Sequence, residues 1–578
     1  MQSSLPAALR RALFCTALTV VIGLGAGGSA ALAGSTWYVA PAPGGSDGNT
    51  GSQAAPFASF ARAQAVAVAG DTVYFRGGTY AYTSGTTTCS STTATISAIV
   101  LDKSGTAGNL IKYWAFPGET PIFDFAGIKD SCRVKGFLVS GSWLHLKGLE
   151  IKGTPQNNDL NHESWGVWIS GSNDLFELLN MHHNMGPGLF IQSGGNNQVV
   201  NCDSHENYDP LSSSGAGGNA DGFGCHIGSG GTGNVFRGCR SWWNSDDGWD
   251  FIEAVETVTV EDSWAWYNGY LPDTLTASGN GNGFKAGGYG LIAANVPANP
   301  PVHVVQRCLA VLNRAAGFYE NHHAAADRFL NDTAYGNHPG FNLLGVAADG
   351  VTSANLGFLR NNLAFSGTLL SNDTGPGVDE AFNSWDTNLG LTVTAADFQN
   401  VSLTGLDGPR QADGSLPVLP NFHLAAGSDL IDKGQNVGLP FLGSAPDLGA
   451  FEFGATSGVG AGGASGTGGA SGTGGASGTG GAAGGTGGAA GPSDGGMTGA
   501  GGALVTGAGG FPMGGLGGAG DASSGGETGT SGGCACNAVE AGRAAGTPLL
   551  LFALTTMSLI GRRRSGRGRD RGVAPRRR

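Results

Sequence analysis

Four aspartates and one lysine sit around a local pattern that occurs three times. The phrases are Asn219-Ala220-Asp221-Gly222-Phe223, Ser245-Asp246-Asp247-Gly248-Trp249-Asp250 and Gly281-Asn282-Gly283-Phe284-Lys285, each centred on glycine followed by an aromatic. Aligned on the glycine, Asp221, Asp247 and Asn282 form one column just before it, and Gly224, Asp250 and Lys285 form another two places after it. In a solenoid such columns become stacks about 4.8 Å apart. The acidic residues then gather beside a lysine.

Ca²⁺ takes six to eight oxygens, tolerates irregular geometry and favours several carboxylates. Asp221, Asp246, Asp247 and Asp250 offer that set from adjacent coils, whereas His226 nearby is a single imidazole without zinc spacing. A Ca²⁺ that only staples two coils, or solvated turn aspartates, fits the same spacing. Lys285 adds chemistry. A lysine beside a bound dication and partly desolvated is expected to have a lowered pKa, which suits a Brønsted base. A metal on a substrate carboxylate also acidifies the proton α to it. Together these point to abstraction of the C5 proton of a uronic acid and β-elimination of the C4 oxygen. A plain ion pair between Lys285 and Asp250 is the alternative.

One geometric condition follows. Strict strand alternation puts the two columns on opposite faces, so the first column must lie in the turn, with a bend at the glycine that glycine permits. Two inserted stretches, Tyr208–Asn219 and Gly269–Gly281, lengthen the same turn on the coils flanking Asp246-Asp247 and are expected to wall a groove. Tyr319 and Phe190 continue the Lys285 column and are expected either to stack on sugar or to pack; Arg314 and Arg307 are further candidates for neutralising carboxylates.

The elements that position these residues are short apolar strands followed by asparagine. Asn184, Asn207, Asn244, Asn268, Asn313 and Asn337 recur at spacings of 23, 37, 24, 45 and 24 residues. A base period near 23 to 24 with insertions suits one coil of a parallel β-helix, with the asparagines as a hydrogen-bonded ladder. Cys202, Cys239, Ser263 and Cys308, five residues before four of these asparagines, read as a small inward-facing stack. Phe60–Ala69 reads as a short helix capping the solenoid, and Cys89 and Cys132 are the candidate disulfide.

The composition divides the chain. The formal charge is −13; the last 17 residues carry nine Arg and one Asp, so the remainder has 21 basic and 42 acidic residues, a net −21. Such a body argues against nucleic-acid binding and suits a cation-binding exported protein. Arg10-Arg11, the apolar run to Leu24 and Ala31-Leu32-Ala33 read as a signal peptide over 1–33. The solenoid is expected over 34–454. A Gly/Ala/Ser/Thr-rich flexible tether follows over 455–533, and a segment over 534–578 combines Cys534, Cys536, a short apolar run and an Arg cluster.

The three phrases resemble those of polysaccharide lyase family 9, pectate lyases with a right-handed parallel β-helix. The matching residues are Asn219 to Phe223, Asp246 to Asp250 and Gly283 to Lys285. The resemblance implies that Asp221, Asp246, Asp247 and Asp250 bind Ca²⁺ and that Lys285 is the base. The terminal segment resembles the myxobacterial-type sorting segments that display proteins at the cell surface. The resulting expectation is an all-β, exported, surface-tethered, Ca²⁺-dependent pectate lyase acting on polygalacturonate. It is expected to be a monomer that meets the membrane only through its C-terminal segment. Two rivals stay open: a lyase for another polyuronate, alginate or a glycosaminoglycan, and a non-catalytic β-helix adhesin with structural Ca²⁺.

Overall fold

The computed structural model describes residues 34–455 except 91–93, 158–162 and 213–214. The expected signal peptide, sorting segment and, apart from residue 455, tether lie outside the described residues. Among the described residues, thirty-three short strands fall into one 13-stranded and two 10-stranded sheets. A typical coil contributes one strand to each. Asn234–Arg237 lies in the first sheet, Arg240–Trp242 in the second and Trp249–Asp250 in the third, before the chain returns to the first at Val258–Glu261. Every pairing between successive coils is parallel, and the sheet pairs start with Thr36 opposite Thr72, well before the Asn repeat begins. The fold is the expected right-handed parallel β-helix.

Two of its corners follow from the sequence. Between the first and second sheets the chain turns in two residues, as in Leu178-Leu179, Asn201-Cys202, Gly238-Cys239 and Asp262-Ser263. The first of each pair is left-handed, with φ between 51° and 64° in these four turns. The second points inward, which makes the buried column of Cys202, Cys239, Ser263 and Cys308. The second corner carries the asparagine ladder. His183, Glu206, Trp243, Tyr267 and Leu312 hold φ of 50–54°, although none is glycine. The asparagine after each is fully or almost fully buried. Asn207 Nδ2 donates to Asn244 Oδ1 at 2.8 Å, Asn244 Nδ2 to Asn268 Oδ1 at 3.0 Å, and Asn268 Nδ2 to Asn313 Oδ1 at 3.0 Å. Backbone amides of the ladder also donate to the next Oδ1. These bonds satisfy the corner and hold the unfavourable left-handed residues in place.

Inside the third sheet the aromatics of the repeated phrases stack. Phe223 and Trp249, Trp249 and Phe284, and Phe284 and Phe318 lie 5.0, 4.6 and 5.1 Å apart between ring centroids. The glycine before each lies at the expected bend and has a second role besides. No positive φ occurs at Gly222, Gly248 or Gly283. Instead, a Cβ on Gly248 would lie 2.5 Å from Gly283 O and 2.9 Å from Asn268 Nδ2, with similar collisions at Gly222 and Gly283. Glycine is required because the third sheet begins hard against the ladder.

The N-terminal end is closed by the helix Phe60–Val66, capped by Ser59, with Phe60 packed on Phe75, Tyr113, Phe123 and Phe137. Cys89 and Cys132 form a disulfide. After Gly377–Ala381 the chain leaves the solenoid and runs back over the second sheet. Leu406 and Phe422 cover Trp242, Trp264 and Trp266. Arg240 donates to Leu406 O and Gly408 O, and Arg410 pairs with Asp203.

Candidate active site

The expected columns are real neighbours. Gly224, Asp250 and Lys285 are register partners on the outer face of the third sheet, and Asp221, Asp247 and Asn282 occupy the corner just before its strands. One oxygen from each of Asp221, Asp247 and Asp250 lies within 4.8 Å of the others. Asp246 adjoins them as the largest charge acting on Asp221, but one of its oxygens accepts Asn280 N at 2.5 Å. All four aspartates are at most 6% exposed.

Lys285, 7% exposed, places Nζ 2.9 Å from Asp250 Oδ2 and 3.0 Å from Asp247 Oδ2. Only the Asp250 contact has hydrogen-bond geometry; Asp247 Oδ2 has no hydrogen-bond partner. Asp247 Oδ1 is held by Asn282, which donates through its backbone N at 2.7 Å and its side chain at 2.9 Å. Sequence reasoning placed Asn282 in the right column without giving it this orienting role, although its column-mates are Asp221 and Asp247. Asp221 Oδ1 accepts Asp247 N at 3.2 Å, and Asp250 Oδ1 accepts Ile252 N at 2.8 Å.

The electrostatics are those of a surplus of buried negative charge. Burial pushes the pKa of Asp221, Asp246 and Asp247 up, and their neighbouring carboxylates push the same way, while Lys285 opposes. Burial pushes the Lys285 ammonium down, but Asp247, Asp250, Asp246 and Asp221 outweigh it and hold its pKa well above the usual lysine value. This is the sign of the ion-free site, whereas the lowering was expected beside a bound dication. The physical reason is that the carboxylate charge raising the lysine is the charge such an ion would occupy. Four carboxylates against one ammonium, with Asp247 Oδ2 unbonded, fit a hard divalent cation such as Ca²⁺.

The surroundings divide the other expected residues. The inserted stretches both lie between the second and third sheets and fold onto the turn between them. Ser278 Oγ donates to Ala216 O, and Ser245 Oγ donates to Gly217 O, both at 3.2 Å. Arg314 pins the second insertion through Gly279 O and Asn280 O. Arg307 is not at the site. It pairs with Asp262 and Glu261 at the corner between the first and second sheets, because its place in the coil is that corner. Tyr319 follows Lys285 in the outer column and is half-buried, its phenol pushed up to about 12 by burial. Phe190 packs: its ring stacks on Trp168 at 5.0 Å and overlies Gly224, where a Cβ would lie 2.5 Å from it.

Comparison with known proteins agrees with this geometry. The family described as "Pel9A-like, right handed beta helix region" matches residues 37–362. Pectate lyase L of Dickeya chrysanthemi is 36% identical over 425 residues, covering 72% of this chain and 90% of that protein. Pectate lyase PEL9 of Emericella nidulans is 30% identical, covering 65% and 89%. Among solved structures, a rhamnogalacturonan lyase is 36% identical with a TM-score of 0.64, covering 69% of this chain and 98% of that one. Pectate lyase Pel9A is 34% identical with a TM-score of 0.57, covering 72% and 96%. A match across more than half of the chain, with relatives at this identity over most of their own length, means that the chain belongs to the Pel9A-like right-handed β-helices, the pectate lyases of polysaccharide lyase family 9.

Proposed function

We propose that the protein cleaves polygalacturonate by β-elimination, with Lys285 as the base and Asp221, Asp246, Asp247 and Asp250 as the Ca²⁺ ligands. The observation that carries this reading is the contact of Lys285 Nζ with Asp250 at 2.9 Å, one coil apart on the outer face of the third sheet. Ca²⁺, when bound, supplies positive charge that neutralises a uronate carboxylate and acidifies the proton α to it. Lys285, once neutral, takes the C5 proton. The C5–H electron pair becomes the C4–C5 double bond, the C4–O bond breaks, and the leaving oxygen is protonated. No water is consumed, and the products are a 4,5-unsaturated uronate end and a new reducing end. Asn282 fixes Asp247, while the ladder and aromatic stack behind it fix the coil spacing between Asp250 and Lys285. The carboxylates that hold Lys285 protonated are the same groups assigned to the ion, so activity should require both metal and alkaline pH. The Cys89–Cys132 disulfide supports an exported protein.

The rhamnogalacturonan lyase among the relatives favours a second reading, in which the uronate cleaved lies in a rhamnogalacturonan backbone. Ultraviolet absorbance of unsaturated product tests both. Polygalacturonate, rhamnogalacturonan and alginate are compared, with Ca²⁺ and with chelator. Product from polygalacturonate alone, lost with chelator, supports the proposal. Product from rhamnogalacturonan alone moves the assignment to the second reading. No product from any of the three overturns the lyase reading.

A further inference from the structure

A second cluster of metal-ligating groups lies on the second sheet, where Asn180–His182 enters the corner before Asn184. His182 Nδ1 is 2.7 Å from His183 Nδ1, and Glu206 Oε2 is 3.4 Å from His183 Nδ1. Ligand atoms of all three residues lie within 4.8 Å of one another. Neighbouring residues of an extended strand point to opposite faces. Here they converge because His183 is left-handed, with φ of 54°, so its ring turns back toward His182. Glu206 holds the same corner position one coil on, with φ of 53°, and His205 is the register partner of His182.

The surroundings fix these groups as donors. His182 Nε2 lies 3.2 Å from Glu150 Oε1. A carboxylate oxygen at this distance accepts, so Nε2 carries the hydrogen and Nδ1 presents its lone pair to His183. Such a carboxylate behind an imidazole orients metal-bound histidines generally. The ring cannot swing freely. It stacks on His205 at 5.0 Å, which stacks on Trp242 at 4.1 Å, which stacks on Trp266 at 4.8 Å. His205 Nδ1, 3.1 Å from Glu206 Oε2, positions the carboxylate. His183 is the open member, its side chain 59% exposed. With His182 Nδ1 as the acceptor, their 2.7 Å contact assigns the hydrogen to His183 Nδ1. With its ring largely in water, His183 can shift that proton to Nε2 and free a second lone pair.

We infer that His182, His183 and Glu206 form a site for a divalent transition ion of the zinc class, bound through two imidazole Nδ1 atoms and one carboxylate oxygen. Two nitrogens in three donors select Zn²⁺, Cu²⁺ or Ni²⁺ over Ca²⁺, which prefers oxygen alone. The ion ties His182-His183 of one coil to Glu206 of the next and leaves a coordination position for water. It is independent of the acidic cluster on the third sheet.

The test uses the full chain and Zn²⁺ alone, with bound metal counted after gel filtration and affinity measured by calorimetry. Other thiols and imidazoles of the chain can contribute equivalents, so the readout is a difference. His183→Ala, at an exposed position, is expected to bind one equivalent less than wild type. Glu206→Gln is expected to weaken that equivalent at least tenfold, whereas Asp247→Asn leaves it unchanged. With Cu²⁺, electron paramagnetic resonance should show coupling to two nitrogens in wild type and to one in His183→Ala. Equal zinc stoichiometry in His183→Ala and wild type, or a Cu²⁺ spectrum that His183→Ala leaves unchanged, overturns the assignment.

Discussion

Replacing Lys285 by methionine keeps the length of the side chain and removes its charge. The ammonium now faces Asp250 Oδ2 at 2.9 Å and Asp247 Oδ2 at 3.0 Å, and both carboxylates are buried. Removing one partner of a buried ion pair costs about 3–5 kcal/mol, because the other charge is left uncompensated. Here two contacts are lost, but Asp221, Asp246 and Asp247 already have raised pKa values and can take up protons in compensation. The full loss of about 3–5 kcal/mol is therefore expected in chelator at pH 8, with a smaller loss at pH 5. The effect on Ca²⁺ has the opposite sign. A unit charge and a dication roughly 5 Å apart repel by about 7 kcal/mol at an effective dielectric constant near 20. Much of that is relieved when the lysine swings aside, so about a tenfold gain in Ca²⁺ affinity is the minimum expected. Lys285→Met should thus be less stable without metal, bind Ca²⁺ more tightly and turn over no substrate. Urea unfolding in chelator and in Ca²⁺, with calorimetry for the ion, measures all but the last. A variant as stable as wild type in chelator at pH 8, or one that binds Ca²⁺ more weakly, would refute the view that Lys285 is the cation balancing these aspartates.

Asp247→Asn keeps an acceptor for Asn282 and should lose Ca²⁺ affinity by about a hundredfold, with activity falling in parallel; calorimetry showing unchanged Ca²⁺ binding would remove Asp247 from the ligand set. Gly248→Ala drives a Cβ against Gly283 O and Asn268 Nδ2, and overpacking with a strained ladder bond should destabilise the fold by about 2–4 kcal/mol, read as a lower urea midpoint. In chelator the pH–stability curve should peak on the mildly acidic side of neutrality. Asp209, Asp174 and Glu320 are raised to about 6, 7 and 8, so their contribution is present at low pH and lost as pH rises through those values. His226, His323 and His423 are depressed to about 4, so theirs is present above pH 6.5 and lost as pH falls toward 4. A plateau extending to pH 9 would contradict the carboxyl assignments.

The site was largely legible because its signal is a column. Asp250 opposite Lys285, and the bonded sequence Asn207, Asn244, Asn268, follow from aligning three phrases, since a constant coil rise turns sequence period into contact. What was not legible lacks that period. The first coils pair Thr36 with Thr72 and Thr72 with Lys112 without ladder asparagines, so they leave no trace in a spacing that begins at Asn184. The covering segment reaches the second sheet through contacts such as Arg410 with Asp203, far apart in sequence and shared by no other coil. The repeated glycines gave the right position and its bend, but not the second reason for glycine there. Sequence alone does not distinguish a residue that must bend from one that must leave room for Asn244 or Asn268.

The corner between the first and second sheets deserves a last consequence. From Leu144–Lys147 onward, two residues join each first-sheet strand to its second-sheet partner, whereas both borders of the third sheet vary, with long excursions at Tyr208–Asn219, Gly269–Gly281 and between Lys285 and Val304. The scaffold therefore separates what must stay constant from what can change. One edge acts as a ruler that sets the pitch at which Asp250 and Lys285 meet. The two edges beside them are free to lengthen or shorten. A lineage built this way can revise its loops one by one without recalibrating the spacing of Asp250 and Lys285, and a designer exchanging loops should cut at those two borders and leave the third intact.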